Sequence, residues 1–350
     1  MPGSFTIFEF AVKPRCSNSG TGLFTFAGKY NNKSAFGPSF LGAATGVAPI
    51  VVTTAAPTTT TDAQIQTWLA GQLDGTHAEF GTPDPNAIYT IFYPQSTTIS
   101  DGQAGTSCQD YGGYHSETKI GSTIVAYAVL PRCPGGFNGS MLDSLTTATS
   151  HEWIEAATDP HPRTRPAYTY PDDDHIAWLL FPMSEVGDMC TYTGGNTQLL
   201  DIGGLQVQRS WSNASAKAYH DPCVPKAVAE PYFNATPDAK EDVGIDLGGG
   251  DPYPTKGVKV PLGQTKTVDV LLWSDAKTSG PFTVHAFDAA RFQGGKGDLG
   301  VSLDRDSGVN GEKLHLTITR NKNGQYGGSI LVLMNSLGSR RSLWTTWVAN

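Results

Sequence analysis

The chain has 350 residues, enough for two domains that each bury a hydrophobic core. Only 16% of the residues are charged, while Gly (40) and Pro (23) are frequent, which argues against a helical bundle and for a loop-rich chain with short strands. The net charge of −8, without a cluster of Lys and Arg, argues against a nucleic-acid partner, and no apolar run reaches the roughly 18–20 residues of a membrane span.

The first periodic segment follows residues 1–60, an N-terminal region to which we assign no role. A helix is predicted from Asp62, which could cap its first turn. Apolar residues recur behind it at helical spacing: Ile65, Trp68, Leu69 and Leu73. Two runs rich in β-branched and aromatic residues, AIYTIFY at 87–93 and STIVAYAVL at 122–130, are predicted to be strands of one sheet.

The longest predicted helix covers residues 140–158, SMLDSLTTATSHEWIEAAT, a stretch without Gly or Pro. One side of this helix carries Leu142, Leu145, Thr149 and Trp153. The helix is predicted to end at Asp159, because the residue before a proline avoids the α region.

The C-terminal part of the chain has a different pattern. Residues 226–255 are rich in Pro, Asp and Gly and are predicted to form a linker. Five short apolar runs follow, separated by turn residues: KTVDVLLW, PFTVHAF, KLHLTITR, SILVLMN and SLWTTWV. Strict alternation of apolar and polar residues in KLHLTITR is typical of a half-buried strand. We therefore predict an antiparallel β-sandwich over residues 256–350, behind a separate domain over residues 61–225.

The five cysteines contain no C-x-x-C pair of the kind found in zinc ribbons, so disulfides in an oxidising compartment are the better interpretation. We predict that Cys108 pairs with Cys133 and Cys190 with Cys223, which leaves Cys16 over. Each bond would close a loop of a few tens of residues around a segment that carries a candidate site motif.

The candidate chemistry lies on the long helix. His151 and Glu155 are four residues apart, so on a helix they share one face and can reach one cation, as in the H-E-x-x-H zinc motif with Glu as the second ligand. Zinc accepts carboxylate oxygen as well as imidazole nitrogen. Glu152 would then be the general base that takes a proton from the attacking water. An amphipathic helix whose exposed face happens to read H-E-x-x-E is the alternative.

Two residues compete as the third metal ligand. His161 has the spacing of the metzincin pattern, with Met183 as a possible Met-turn, although Thr158 replaces the Gly at which that chain bends. Glu185 in SEVGDMC would instead complete the site from a second segment, as in gluzincins, with Asp188 orienting the histidine of the helix. The residues alone leave both alternatives open.

Four segments, in the same order, resemble poorly characterised secreted bacterial and fungal proteins related to the plant phosphate-induced, EXORDIUM-like family. They are SCQDYGGYHS (107–116), SHEWIEAATDP (150–160), SEVGDMC (184–190) and VQRSWSNAS (207–215). The resemblance covers residues 80–225, stops before the C-terminal domain, and implies a secreted, zincin-like metal-binding domain.

The family pattern pairs H-E-x-x-E-x-x-T-(D/N)-P with a later E-x-G-D-x-C. The matching residues are His151, Glu152, Glu155, Thr158, Asp159 and Pro160, then Glu185, Gly187, Asp188 and Cys190. Position 161 lies outside this pattern, so the resemblance favours Glu185 as the third ligand. The family usually has a small aliphatic residue where Trp153 stands, and we expect the indole to narrow access to the site.

Two further groups are weaker candidates. His115 in GGYHS could line the cleft or bind a transition-state oxyanion, or be an ordinary loop histidine. In DRDSGVNGEK, four oxygen-bearing side chains could hold calcium, although a plain hairpin turn is the alternative: Asp304, Asp306, Asn310 and Glu312.

The sequence thus predicts an α+β protein, with a zincin-like domain followed by a β-sandwich. We expect a secreted zinc-dependent hydrolase, a metallopeptidase for peptide or protein substrates, with His151, Glu155 and Glu185 on the metal and Glu152 as base. The alternative is a non-catalytic extracellular protein, adhesive or wall-associated, whose metal site is structural or vestigial.

Overall fold

The structure is a computed structural model. It describes residues 5–11, 45–46, 49–100, 102, 105–134, 140–164, 177, 185–191, 199–212, 215–216, 218–224, 231–246, 248, 251–293 and 296–350. The chain divides into two units: the first holds the described residues up to 164 and Leu199–Arg209, and the second holds the described residues 177 to 191 and those from Ser210 on. Within these ranges no helix is long and apolar enough to cross a bilayer.

The first unit is built around one mixed sheet. The strands of this unit are β1 (Phe5–Ala11), β2 (Thr45–Gly46), β3 (Ile50–Val52), β4 (Thr59–Thr61), β5 (Ala87–Tyr93), β6 (Thr98–Ser100), β7 (Tyr114–Ile120), β8 (Thr123–Pro131), β9 (Leu199–Ile202) and β10 (Leu205–Gln208). The sheet has the order β2-β1-β5-β8-β7, with β3 also paired to β1, while β4 pairs with β6 and β9 with β10. The two predicted strands, β5 and β8, are neighbours and parallel, which confirms that they share a sheet.

Helix α1 (Asp62–Gln72) covers one face of this sheet. Its apolar side packs on alternate residues of β5 and β8, in a cluster that includes Ile65, Leu69, Leu73, Tyr89, Ile91, Val125, Tyr127 and Val129. The helix cap is Thr61, which forms a capping box with Gln64, and not Asp62 as the sequence suggested. The buried Asp62 carboxylate instead accepts hydrogen bonds from the hydroxyls of Tyr114 (2.9 Å) and Tyr127 (2.6 Å).

Helix α2 (Met141–Thr158) covers the opposite face and confirms the longest predicted helix. Ser140 and Asp143 form a capping box at its start, and Asp159 ends it as expected. Its inner side packs on the other alternate residues of β5 and β8, in a cluster that includes Ile88, Phe92, Ala126, Ala128, Leu130, Leu145, Trp153 and Ala156. Leu142, predicted on the same side, is 53% exposed.

The second unit contains a short helix, α3 (Asp188–Thr191), and a two-sheet sandwich. Its strands are β11 (Phe233–Pro237), β12 (Glu241–Ile245), β13 (Tyr253–Lys259), β14 (Thr265–Ser274), β15 (Phe282–Asp288), β16 (Leu299–Leu303), β17 (Ser307–Gly308), β18 (Lys313–Arg320), β19 (Ser329–Leu337) and β20 (Arg340–Ala349). The sheet orders are β11-β14-β18-β16 and β12-β13-β20-β19-β15-β17, and buried apolar side chains of both sheets form one core.

The sandwich departs from its sequence prediction in two ways. All five apolar runs are strands, but β11, β12 and the start of β13 lie inside residues 226–255, where a linker was predicted. Strands β13 and β20 pair in parallel, so the sandwich is not purely antiparallel. The Pro-rich, Gly-rich composition therefore marks the turns around short strands, because prolines are tolerated at strand ends and edges.

Two disulfides confirm both predicted pairings. Cys108 bonds to Cys133 in the first unit, and Cys190 to Cys223 in the second. Cys16 lies outside the described residues. The two bonds indicate an oxidising environment for the folded chain.

Removal of the Cys108–Cys133 disulfide is expected to destabilise the fold. Replacing both Cys108 and Cys133 by Ser is expected to lower the free energy of unfolding by about 3 kcal/mol, because the bond closes a loop with a sequence separation of 25. Guanidinium unfolding of the double variant beside the wild type measures this loss. A loss below about 1 kcal/mol would show that the bond does not restrict the unfolded chain as proposed.

Candidate metal centre

Strand β7 places two polar side chains on the face that α2 covers. In its antiparallel pairing with β8, His115 lies opposite Ala128 and Glu117 lies opposite Ala126. Both alanines belong to the cluster under α2, and directly opposed residues of neighbouring strands point to the same face. His115 and Glu117 are therefore directed to the α2 side of the sheet.

Four side chains converge between β7 and the last turns of α2. His151 Nε2 lies 3.0 Å from Glu155 Oε2 and 4.0 Å from Glu152 Oε1. His115 Nδ1 lies 3.6 Å from Glu155 Oε2 and 3.5 Å from Glu152 Oε2. The His115, Glu152 and Glu155 side chains are 3%, 6% and 2% exposed, whereas His151 is 15% exposed, so His151 marks the solvent side of the cluster.

Each imidazole is held by a hydrogen bond at its outer nitrogen, the one that faces away from the two glutamates. His115 Nε2 lies 3.3 Å from the carbonyl oxygen of Asp159, which can only accept, so this nitrogen carries the proton. His151 Nδ1 lies 2.9 Å from Gln208 Oε1, and the amide nitrogen of Gln208 donates to the Arg209 carbonyl, which fixes the orientation of that amide. The inner nitrogens, His115 Nδ1 and His151 Nε2, are thereby directed at the two carboxylates.

Burial and charge act oppositely on the two glutamates. Burial raises the pKa of Glu152 above its usual range, and the hydrogen bond with His115 and the attraction of His151 offset this only in part. Burial also opposes ionisation of Glu155, but the attraction of His151 and hydrogen bonds with both histidines outweigh it and hold the pKa of Glu155 below its usual range. Glu152 is thus the carboxylate more ready to take up a proton.

The donor set fits a divalent cation. Two inner nitrogens that face carboxylate oxygens at 3.0–3.6 Å need a proton or a metal ion between them: a proton on the ring or on the carboxyl group, or a shared metal ion. Ligands about 2.1 Å from a tetrahedral zinc lie about 3.4 Å from one another, close to these separations. The ligand atoms of His115, Glu152 and Glu155 all lie within 4.8 Å of each other, and His151 Nε2 lies 3.0 Å from Glu155 Oε2. Among the described residues His115 and His151 are not in one such group, so the two rings would have to move closer together to share an ion.

The absence of a side chain at Gly113 leaves space for the Glu152 side chain. A Cβ on Gly113 would lie 3.2 Å from both Cγ and Oε1 of Glu152 and 3.0 Å from Cδ1 of Leu130. Both distances are tighter than ordinary van der Waals contact, so the segment leading into β7 can approach the Glu152 side chain this closely only without a Cβ.

The two predicted third ligands belong to different units. His161 Nδ1 is 3.1 Å from Glu117 Oε2, and among the described residues His161 is in no group of potential metal ligands. Glu185, which precedes α3, and Asp188, its first residue, belong to the second unit, so their roles in the metal site stay predictions. Met183 lies outside the described residues.

His115 is only a weak candidate from the sequence, but the structure brings its ring to the two glutamates. The sequence does indicate a strand here, since in YHSETKI the charged or ionisable residues His, Glu and Lys occupy every second position, just before the buried run of β8. The register that sets His115 opposite Ala128 could not be read from the sequence, because a slip of one residue would turn the ring to the α1 face.

Trp153 corrects another expectation. Its indole lies in the interface between α2 and the sheet, where Nε1 donates to Thr90 Oγ1 at 2.8 Å. Its size is therefore explained by packing under the helix and not by control of access to the site.

A conservative change at this position tests that explanation. Trp153→Phe is expected to lower the free energy of unfolding by about 1–2 kcal/mol, through the lost hydrogen bond and lost contacts, and to leave zinc affinity unchanged. Thr90→Val removes the same hydrogen bond from the sheet side and is the matched control. Altered zinc affinity in Trp153→Phe but not in Thr90→Val would show that the indole itself affects the metal site.

The calcium candidate in the second unit has protein partners. Asp304 Oδ1 accepts from the backbone N–H of Arg305 and His315, and Asn310 Oδ1 accepts from that of Ser274. Glu312 Oε2 accepts from Arg305 Nη1. These bonds hold the segments on both sides of β17, and calcium binding by Asp304, Asp306, Asn310 and Glu312 stays a prediction.

No protein-family model and no curated protein matches the chain. Among solved structures, domains 4 and 5 of the S-layer protein SbsC are similar at 16% identity, over 37% of this chain and 60% of that chain, with a TM-score of 0.20. A chimeric titin Z1Z2 matches at 14% identity over 35% and 96% (TM-score 0.19), and the GAE domain of GGA2p from Saccharomyces cerevisiae at 7% over 35% and 91% (TM-score 0.17). At these TM-scores the similarities carry no argument about fold or function.

Proposed function

We propose that the first unit is a zincin-like, zinc-dependent hydrolase whose metal is held by His115, His151 and Glu155. The observation that carries this proposal is the orientation of the two imidazoles, whose outer nitrogens are hydrogen-bonded while their inner nitrogens face buried carboxylates. Metal-ligating histidines in proteins are held in this way. In this proposal His115 is the third ligand, in place of Glu185 or His161, the two alternatives that the sequence suggested.

Glu152 is the proposed general base. When bound, zinc would polarise a carbonyl group and make a nearby water more acidic. Glu152 takes a proton from the attacking water and passes it to the leaving amine. Its buried carboxyl, with a raised pKa, holds a transferred proton more readily than an exposed glutamate would. We propose a peptide or protein substrate because H-E-x-x-E on α2 resembles the H-E-x-x-H motif of metalloproteases, with Glu155 in place of the second histidine.

A second candidate function is a structural metal centre without catalysis. It is favoured by one distance, because Glu152 Oε2 lies as near to His115 Nδ1 (3.5 Å) as Glu155 Oε2 does (3.6 Å). If both glutamates bound zinc with the two histidines, four protein ligands would close the coordination sphere, as in structural sites. The chain would then be a non-catalytic extracellular protein, adhesive or wall-associated.

We also propose that the chain is secreted, since both disulfides require an oxidising compartment. The test of the hydrolase is a cleavage assay of metal-quantified protein on a broad peptide library. Cleavage that a chelator abolishes and Zn²⁺ restores is the expected result. Zinc-loaded protein that cleaves no peptide in the library would contradict the peptidase and favour the structural centre.

A further inference from the structure

We propose that Glu117 is a positioning residue for the metal centre, which it serves by holding the turn that orients His115. This inference rests on the proposed metal site, to which it adds a supporting layer of residues. It also gives a role to His161, which the sequence suggested as a ligand.

Glu117 anchors the turn after α2 with both carboxylate oxygens. Its Oε1 accepts from the backbone N–H of Thr164 at 2.8 Å, and its Oε2 accepts from the Thr164 hydroxyl at 2.9 Å. His161 Nδ1 faces the same Oε2 at 3.1 Å. The Glu117 side chain is 5% exposed, so these contacts form inside the protein, where hydrogen bonds to a charged group are strong. Residues 161–164 are therefore fixed to β7.

The anchored turn begins at the residue that orients the ligand. Asp159 lies between α2 and this turn, and its carbonyl oxygen accepts from His115 Nε2. His115 and Glu117 are two residues apart on β7 and point to the same face. Strand β7 therefore carries both His115 and Glu117, the residue that fixes the turn next to Asp159. A shift of this turn would move the Asp159 carbonyl and break its hydrogen bond with the His115 ring.

The loss of this support has two measurable effects. With the Asp159 carbonyl free to move, the neutral His115 ring can carry its proton on either nitrogen, and the tautomer with a proton on Nδ1 cannot bind metal. Removal of groups that orient a ligand typically lowers metal affinity about 10–100-fold. Both effects depend on orientation of the ring and not on stability of the fold.

The experiment compares four proteins: the wild type, Glu117→Ala, Glu117→Gln and Thr118→Ala. Nitrogen NMR of the histidine rings in metal-free protein, at a pH where His115 is neutral, gives the tautomer of His115. Competition with a zinc chelator gives the affinity. We expect Glu117→Ala to show mixed tautomers and a loss of affinity of about 10–100-fold. We expect Glu117→Gln to keep both near wild type, because its amide can still accept from Thr164 and donate to the ring of His161.

Thr118→Ala is the matched control. Thr118 is the next residue of β7 and is also buried, but its hydroxyl donates to Gln66 Oε1 on the α1 face. It should lower the melting temperature without changing the tautomer or the affinity. The inference is overturned if Glu117→Ala keeps the wild-type tautomer and affinity, or if Thr118→Ala loses them to the same extent.

A second variant covers the case in which Glu117→Ala does not fold. Thr164→Val removes one hydrogen bond to Glu117 at an exposed position, so a folded protein is expected, with a smaller change of tautomer and affinity in the same direction. No change in either would overturn the inference. If the wild type binds no zinc, the proposed function fails by itself, while the tautomers of metal-free Glu117→Ala and Thr164→Val still decide whether Glu117 orients His115.

Discussion

Glu152→Gln is expected to lower kcat/KM for peptide hydrolysis by about 10²–10⁴-fold while the protein retains its zinc. The amide has the size of the carboxylate and fits beside Gly113, so the packing of α2 on the sheet stays intact. An amide cannot take the proton that the attacking water must lose. Rates on a substrate from the peptide library, together with zinc content per chain, measure both parts of the prediction.

The same variant separates the two candidate functions. If Glu152 is a ligand of a closed structural site, Glu152→Gln weakens zinc binding, and no activity is present to be lost. Thr147→Val is a suitable control, because it changes another buried polar residue of α2 that lies one helical turn before His151. Full hydrolytic activity in Glu152→Gln would refute the role of Glu152 as base.

His115→Ala is expected to reduce zinc affinity by more than the 10–100-fold that loss of a supporting group costs, roughly as much as His151→Ala or Glu155→Ala. Each change removes one of three proposed ligands, and two ligands do not hold zinc well. Chelator competition on the three variants measures the losses.

His161→Ala supplies the contrast, because the ring of His161 faces Glu117 and not the glutamates of α2. It should weaken zinc binding less than His115→Ala does, since it acts only through the turn. Glu185→Ala belongs in the same series. Zinc lost from Glu185→Ala or His161→Ala but retained in His115→Ala would restore the corresponding ligand predicted from the sequence.

Local patterns predicted the elements that frame the site. The run at 87–93 and the Gly-free, Pro-free stretch at 140–158 each form one element because strand and helix periodicity act over a few neighbouring residues. The spacing of His151, Glu152 and Glu155 on α2 follows from helix geometry for the same reason. Both disulfides were predicted from the segments that they enclose.

The remaining features depend on partners distant in sequence. His115 joins the cluster because β7 pairs with β8 in one particular register, which no local pattern specifies. Asp62 has a side chain suited to capping but is used by two tyrosine hydroxyls, so Thr61 caps α1. Strand β11 forms in a Pro-rich segment because it pairs with β14 and buries Phe233 and Ala235 in the sandwich core.

The most direct test of the metal centre is a calorimetric titration of chelator-treated wild-type protein with Zn²⁺, repeated in buffers of different ionisation enthalpy. We expect one saturable site per chain and the release of protons, up to about two per zinc, because the inner nitrogens of His115 and His151 must give up any proton they hold against the carboxylates. No saturable binding, or binding that His151→Ala retains unchanged, would contradict it.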